Sequence, residues 1–201
     1  MIGIVSGYMR SGTSCMMQAL EAGGMCAMRS LERDKAMHAQ QAKISAQWGD
    51  AVADSYRPND QYYELNPSDY HIDDFPLMFD GRLIKCLAPG VMLVSPAGRP
   101  LYRCVFMRRN RRAIADSVYA MTGRVPSMLE SDLFDRRMAK TVDCLRDRKS
   151  FVSVEEVWFD EMVRDPRGTF ERLLRAGWPI DPAVAAEVPD SSKRRMLGAA
   201  A

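Results

Sequence analysis

Apolar positions along this chain follow two alternating rhythms. Short apolar runs at Ile2 to Ser6, Met25 to Met28 (the weakest), Leu83 to Leu87, Tyr102 to Met107 and Phe151 to Val154 read as buried strands. Between them, helical spacing predicts helices over Thr13 to Ala22, Asp34 to Trp48, Arg111 to Thr122, Glu130 to Asp147 and Pro166 to Ala176, with a short last helix near Pro182 to Glu187. Strands that alternate with helices predict an α/β fold with a mostly parallel sheet of about five strands, because a parallel neighbour is reached only by a crossover connection. The segment Asp54 to Pro76 breaks the rhythm. It is rich in Pro, Asn, Asp and Tyr and predicts a long ordered loop, the kind of element a rigid sheet presents over a site. A length of 201 residues fits one domain over residues 1–197, with 198–201 expected as a disordered tail.

Charge narrows the partners. Lys plus Arg number 28 against 26 Asp plus Glu, so no global field favours nucleic acid or an anionic membrane, and any anion site must be local. No apolar stretch approaches the roughly 20 residues that span a bilayer, and the first residues enter a strand without a leader-like pattern, which predicts a cytoplasmic protein. Cys15, Cys26, Cys86, Cys104 and Cys144 have apolar surroundings and no C-x-x-C spacing; they read as buried free thiols rather than metal ligands. The 15 methionines read as soft core filler.

Chemistry concentrates where the first strand meets the first helix. Gly7-Tyr8-Met9-Arg10-Ser11-Gly12-Thr13-Ser14 has the glycine spacing of a phosphate-binding Walker loop, with Thr13 where the lysine belongs and a cation, Arg10, moved upstream. Glycines allow close approach of an anion, and the helix N-terminus turns N–H groups and a positive dipole end toward it. Without its lysine the loop loses a contact to the β- and γ-phosphates, which argues against ordinary ATP chemistry. The fold expected is therefore a P-loop NTPase-like three-layer α/β/α sandwich, and the other reading of this stretch is a plain strand-to-helix turn.

With its arginine and following hydroxyls, this loop resembles the 5′-phosphosulfate loop of the PAPS-dependent sulfotransferases (PAPS is 3′-phosphoadenosine 5′-phosphosulfate). Arg10-Ser11-Gly12-Thr13-Ser14 is most similar to the branch that includes the tyrosylprotein and bacterial sulfotransferases. In that family an arginine at a later strand end, with a serine eight residues on, holds the 3′-phosphate. Arg109 and Ser117 stand at that separation, after the strand Tyr102 to Met107, although Arg111 replaces the usual proline. Four arginines among Arg108 to Arg112 oppose the dipole of the helix they begin, so an anion or acidic partners must compensate; Asp116, Asp132 and Asp135 are the alternative partners. A third similarity, Glu155 to Pro166 leading to Phe170, Leu173, Leu174 and Gly177, reads as architectural, with Asp165 as N-cap, Pro166 at the first helical position, and Phe170, Leu173 and Leu174 sharing one face. Ser191 to Arg195 loosely resembles a basic segment that closes on the cofactor, and reads equally as a solvated tail.

The resemblance implies sulfuryl transfer from PAPS to a hydroxyl or amine of a small-molecule or peptide acceptor, by in-line displacement without metal, leaving PAP. Gly7, Ser11, Gly12, Thr13 and Ser14 would cradle the 5′-phosphate with Arg10, whose planar fork suits charge on the leaving oxygen. Lys85 matches the lysine of a family Lys-Thr-His stretch, but Leu87 stands where its histidine base would fall. Three groups remain as base: Glu64, after Tyr62-Tyr63 in the long loop, is preferred over Glu32 and His71. Two other classes stay open, a non-catalytic PAP- or nucleotide-binding protein and a P-loop nucleotide or small-molecule kinase. The acceptor and the oligomeric state are not legible.

Overall fold

Five strands, β1 (Ile2–Gly7), β2 (Cys26–Ala27), β3 (Arg82–Lys85), β4 (Tyr102–Arg108) and β5 (Phe151–Trp158), form one sheet in the order β2-β3-β1-β4-β5, every pair parallel. The structure is a computed structural model and describes residues 1–30, 32, 34–36, 38–39, 63, 79–94 and 102–189. Among the described residues the sheet is accompanied by α1 (Thr13–Ala22), α2 (Arg111–Thr122), α3 (Leu133–Arg146), α4 (Phe159–Arg164), α5 (Pro166–Arg175) and α6 (Pro182–Ala185), with 3₁₀ turns at Gly90–Leu93 and Ser127–Glu130.

The alternation of side chains along β1 and β4 feeds two cores, one on each face of the sheet. Ile2, Ile4, Tyr102, Cys104 and Phe106 pack against Ile114 and Val118 of α2 and Phe134, Met138, Val142 and Leu145 of α3. Val5, Val105 and Met107 pack on the opposite face against Met16, Met17 and Leu20 of α1, Met162 of α4, Phe170 and Leu173 of α5, and Trp178. The result is the three-layer α/β/α arrangement expected from the sequence. Every residue of β1 is buried, as its position between β3 and β4 requires. Because the chain leaves β1 toward one side of the sheet and returns to its other side at β4, the carboxyl ends of these strands form a topological switch point, where open α/β sheets hold their ligands.

Local signals explain most boundaries. Asn110 caps α2 by accepting from the N–H groups of Arg112 and Ala113, Asp165 caps α5 by accepting from Gly168, and Asp181 caps α6 ahead of Pro182. Three expectations are corrected. The helix expected over Glu130 to Asp147 is a 3₁₀ turn followed by α3, divided at Ser131, whose hydroxyl accepts from the N–H of Leu133. Leu174 is exposed while Phe170 and Leu173 are fully buried, since the core-facing stripe of α5 is narrow. Of the five cysteines, none of them in a disulfide, only Cys86 and Cys104 are buried; Cys26 is exposed because β2 is an edge strand of two residues.

Within the helix expected from Asp34 to Trp48, residues 34–36 and 38–39 are helical. Residues 40–48, the loop Asp54 to Pro76 apart from Tyr63, and the tail beyond residue 189 lie outside the described residues. Among the described residues no helix is long and apolar enough to cross a membrane.

Candidate functional site

The loop between β1 and α1 sits at this switch point. Its turn closes through the N–H of Ser11 on the carbonyl of Tyr8 at 3.1 Å, and the first helical bond runs from Met16 N–H to Gly12 O at 3.0 Å. The N–H groups ahead of Met16 therefore stand outside the helical ladder, at the positive end of the α1 dipole. Two glycines are there for space and conformation. Gly7 has φ 139°, and a Cβ on it would lie 2.6 Å from the Met107 carbonyl oxygen; Gly12 has φ 97°, and a Cβ would lie 2.3 Å from Cδ2 of Phe159. Arg10 is itself left-handed at φ 66°, an uncommon conformation for a residue with a side chain.

β3 supplies a cation that the loop lacks. Lys85 is buried, and its ammonium donates to Ser14 Oγ at 3.1 Å. Beyond β3 the chain stays against β1, with Cys86 N–H on Val5 O and Ala88 N–H on Gly7 O, both at 2.9 Å. This pairing sets Leu87, the position of the missing histidine, beside the start of the loop. The loop itself has no lysine, as read from its sequence, and the neighbouring strand brings an ammonium to it.

From the other flank, the end of β4 and the helix α2 bring Arg109 and Ser117. Arg10 Nε donates to Ser117 Oγ at 2.9 Å, and Arg109 Nη1 donates to the Arg10 carbonyl at 3.0 Å. The Arg109 guanidinium lies 4.8 Å from the centre of the Phe159 ring, so Phe159 is sandwiched between Gly12 and Arg109. Burial lowers the Arg109 pKa, opposed by Asp160 and Asp116 and reinforced by the neighbouring charge of Arg10. Two polar atoms here, Arg109 Nε and Ser11 Oγ, are buried without a hydrogen-bond partner among the described residues. Orphaned buried donors are uncommon in native proteins, and an anion between the loop and Arg109 would satisfy them. The loop and the Arg109/Ser117 pair, read separately from the sequence, are therefore one contiguous constellation.

Two other arginines of the basic helix start, Arg108 and Arg111, have structural partners. Arg111 pairs with Asp132 at 2.8 Å and Asp135 at 3.7 Å, and Arg108 pairs with Glu156 at 2.9 Å. Arg109 alone of these three turns to the loop.

The expected bases are distributed differently. Glu32 is exposed. Glu64 and His71 lie outside the described residues. Tyr63, next to Glu64 in the chain, is 1% exposed within the α1-side core, with φ 58°, and its hydroxyl donates to Glu21 Oε2 at 2.6 Å. Burial raises the Tyr63 pKa, and the carboxylate of Glu21 raises it further, so the phenol stays protonated. Among the described residues no group of three or more His, Cys, Asp or Glu is placed to hold a metal ion.

Sequence reasoning missed two contributors. Lys85 was noted only as a family position, although a lysine ending an apolar strand beside the loop strand was a usable signal. Phe159 sits in a segment read as architecture, and its partner Gly12 is too distant in the chain for any spacing rule.

No family model matches the chain, and no curated protein matches it. Solved structures similar to it include an unliganded sugar kinase from Janibacter sp. HTCC2649, with TM-score 0.47 and 14% identity over 91% of this chain and 96% of that one. Another is a retinol dehydratase in complex with androsterone and the inactive cofactor PAP, with TM-score 0.41 and 12% identity. The match to the dehydratase covers 94% of this chain and spans 63% of that longer one. At such distances the chemistry has to come from the residues of this chain.

Proposed function

We propose that this protein is a PAPS-dependent sulfotransferase that moves a sulfuryl group to a hydroxyl or amine acceptor by in-line displacement without metal. The observation that carries the reading is the junction of two anion subsites at Arg10, whose Nε meets Ser117 and whose carbonyl meets Arg109. A ligand with phosphates at both ends, as PAPS has, matches such a pair. The buried orphan donors at Arg109 Nε and Ser11 Oγ fit it as well.

In this reading the loop N–H groups, Thr13 and Ser14 hold the 5′-phosphate, while Arg109 and Ser117 hold the 3′-phosphate. Arg10 and Lys85 offset the charge that grows on the leaving oxygen. PAPS supplies the sulfuryl group. Such transfer needs positioning and electrostatics more than covalent help from the protein, and the acceptor must lose a proton, for which Glu64 is the proposed base.

A second reading, a P-loop kinase, is favoured by one observation: Lys85 on Ser14 restores an ammonium to the loop. Against it, the strands flanking β1 end in cations, Lys85 on β3 and Arg108 with Arg109 after β4, where a magnesium-binding acid would be useful. The test is transfer of label from radiolabelled PAPS to a panel of alcohols, phenols, sugars and tyrosine peptides, without added divalent metal. Labelling of at least one class is expected. Labelling of none, together with transfer from ATP and Mg²⁺ to the same panel, would install the kinase.

A further inference from the structure

Tyr63 is fixed from three sides at once. Its side chain is 1% exposed within the core on the α1 side of the sheet, its hydroxyl donates to Glu21 Oε2 at 2.6 Å, and the Arg29 guanidinium lies 5.3 Å from its ring centre. Arg29 also donates to the other oxygen of Glu21, so the three side chains close a ring of contacts. Burial and the Glu21 carboxylate both raise the phenol pKa, which keeps the hydroxyl a donor. A tyrosine that only filled the core would need neither the carboxylate nor the arginine.

The backbone is constrained as well. Tyr63 has φ 58°, a left-handed conformation that is unusual for a bulky residue and persists where surrounding contacts over-determine it. The direction in which the chain leaves Tyr63 is therefore set by its contacts to α1 and to Arg29. Glu21 stands on the same face of α1 as Ser14, about two turns further along, so the anchor of Tyr63 and the hydroxyl that meets Lys85 share one rigid element. Glu64, the proposed base, lies outside the described residues but follows Tyr63 directly in the chain, one peptide bond from this anchor.

We propose that Tyr63 is a positioning residue for Glu64, its hydroxyl on Glu21 tying the acceptor side of the site to the helix that begins at the β1–α1 loop. The inference rests on the sulfotransferase reading with Glu64 as base, and deepens it by naming what holds that base. It makes a specific demand: loss of the hydroxyl must fall on turnover and spare the nucleotide.

The experiment measures sulfuryl transfer from PAPS to the best acceptor, with PAP titrated alongside, for wild type, Tyr63→Phe, Glu21→Gln, Glu64→Gln and the double variant Tyr63→Phe/Glu64→Gln, each checked for folding by circular dichroism. Tyr63→Phe keeps the ring and removes the hydroxyl; kcat should fall roughly 10- to 100-fold, the scale of a displaced catalytic group, with PAP affinity unchanged within about twofold. Glu21→Gln, whose amide oxygen still accepts from the phenol, should lose less. The double variant should be no slower than Glu64→Gln alone, because no base is left to position. Where Tyr63→Phe does not fold, Glu21→Ala takes its place in both comparisons. Three results overturn the positioning role and leave the sulfotransferase reading standing: kcat intact in folded Tyr63→Phe, kcat and PAP affinity falling together, or additive losses in the double variant. Wild type that labels no acceptor overturns that reading and the inference with it.

Discussion

The ammonium of Lys85 on β3 donates to the hydroxyl of Ser14 on α1 at 3.1 Å, which places a buried positive charge at the loop between β1 and α1 from outside the loop itself. A charge-assisted contact to an anion is worth about 1.5–3 kcal/mol, so Lys85→Met should weaken PAP roughly 10- to 150-fold while the protein remains folded. Isothermal calorimetry beside a melting curve checks it. Unchanged affinity would make Lys85 a structural partner of Ser14 only.

Arg109 makes the corresponding prediction at the other end of the site. Its guanidinium is partly buried against Phe159 and held on the Arg10 carbonyl, so it is preorganised for an anion. Arg109→Ala should cost PAP about 2–3 kcal/mol and affect 5′-AMP much less, since the proposed function gives it the 3′-phosphate. Equal losses for both ligands would place Arg109 elsewhere in the site.

How much of this was legible depends on whether a signal is local. The bounds of α1 follow from Gly12 and the apolar series Met16, Met17, Ala19 and Leu20, and the structure starts and ends that helix where the sequence does. β5 runs on to Trp158, past the expected end at Val154, because Glu155 and Glu156 read as polar; Glu156 is in fact held by Arg108 and Arg146. α4, with six residues, is too short for a helical period to show. Arg109 and Ser117 were found through spacing and resemblance, and the loop through its glycines. The links between them, Arg10 to Ser117 and Phe159 to Gly12, join residues far apart in the chain and exist only once β1 and β4 are neighbours.

Gly12→Ala tests the floor of the site. At φ 97° an alanine is strained, and its Cβ meets the Phe159 ring at 2.3 Å, so the substitution should destabilise the fold by about 1–3 kcal/mol or more. Because that ring lies under Arg109, PAP affinity should fall too, even at temperatures where the variant is folded. Denaturant melts and a PAP titration check both. A variant as stable as wild type would show that the ring moves aside freely.

The acceptor side predicts a split between binding and turnover. Glu64→Gln should abolish most sulfuryl transfer while leaving PAP affinity nearly unchanged, because a base acts on the acceptor proton and not on the nucleotide. Steady-state kinetics with the best acceptor, beside PAP titration, checks it. Turnover within a few fold of wild type would pass the role to Glu32.

The central claim, that the constellation around Arg10 is built for PAPS, is tested most directly by melting the wild-type protein with PAP alone and with ATP plus Mg²⁺. At a hundredfold excess over Kd a specific ligand contributes about 2.7 kcal/mol, which for a chain of this size raises Tm by roughly 5–10 °C. The account predicts that rise with PAP in the presence of a chelator and little change with ATP and Mg²⁺. Stabilisation by ATP and Mg²⁺ with none by PAP would contradict it.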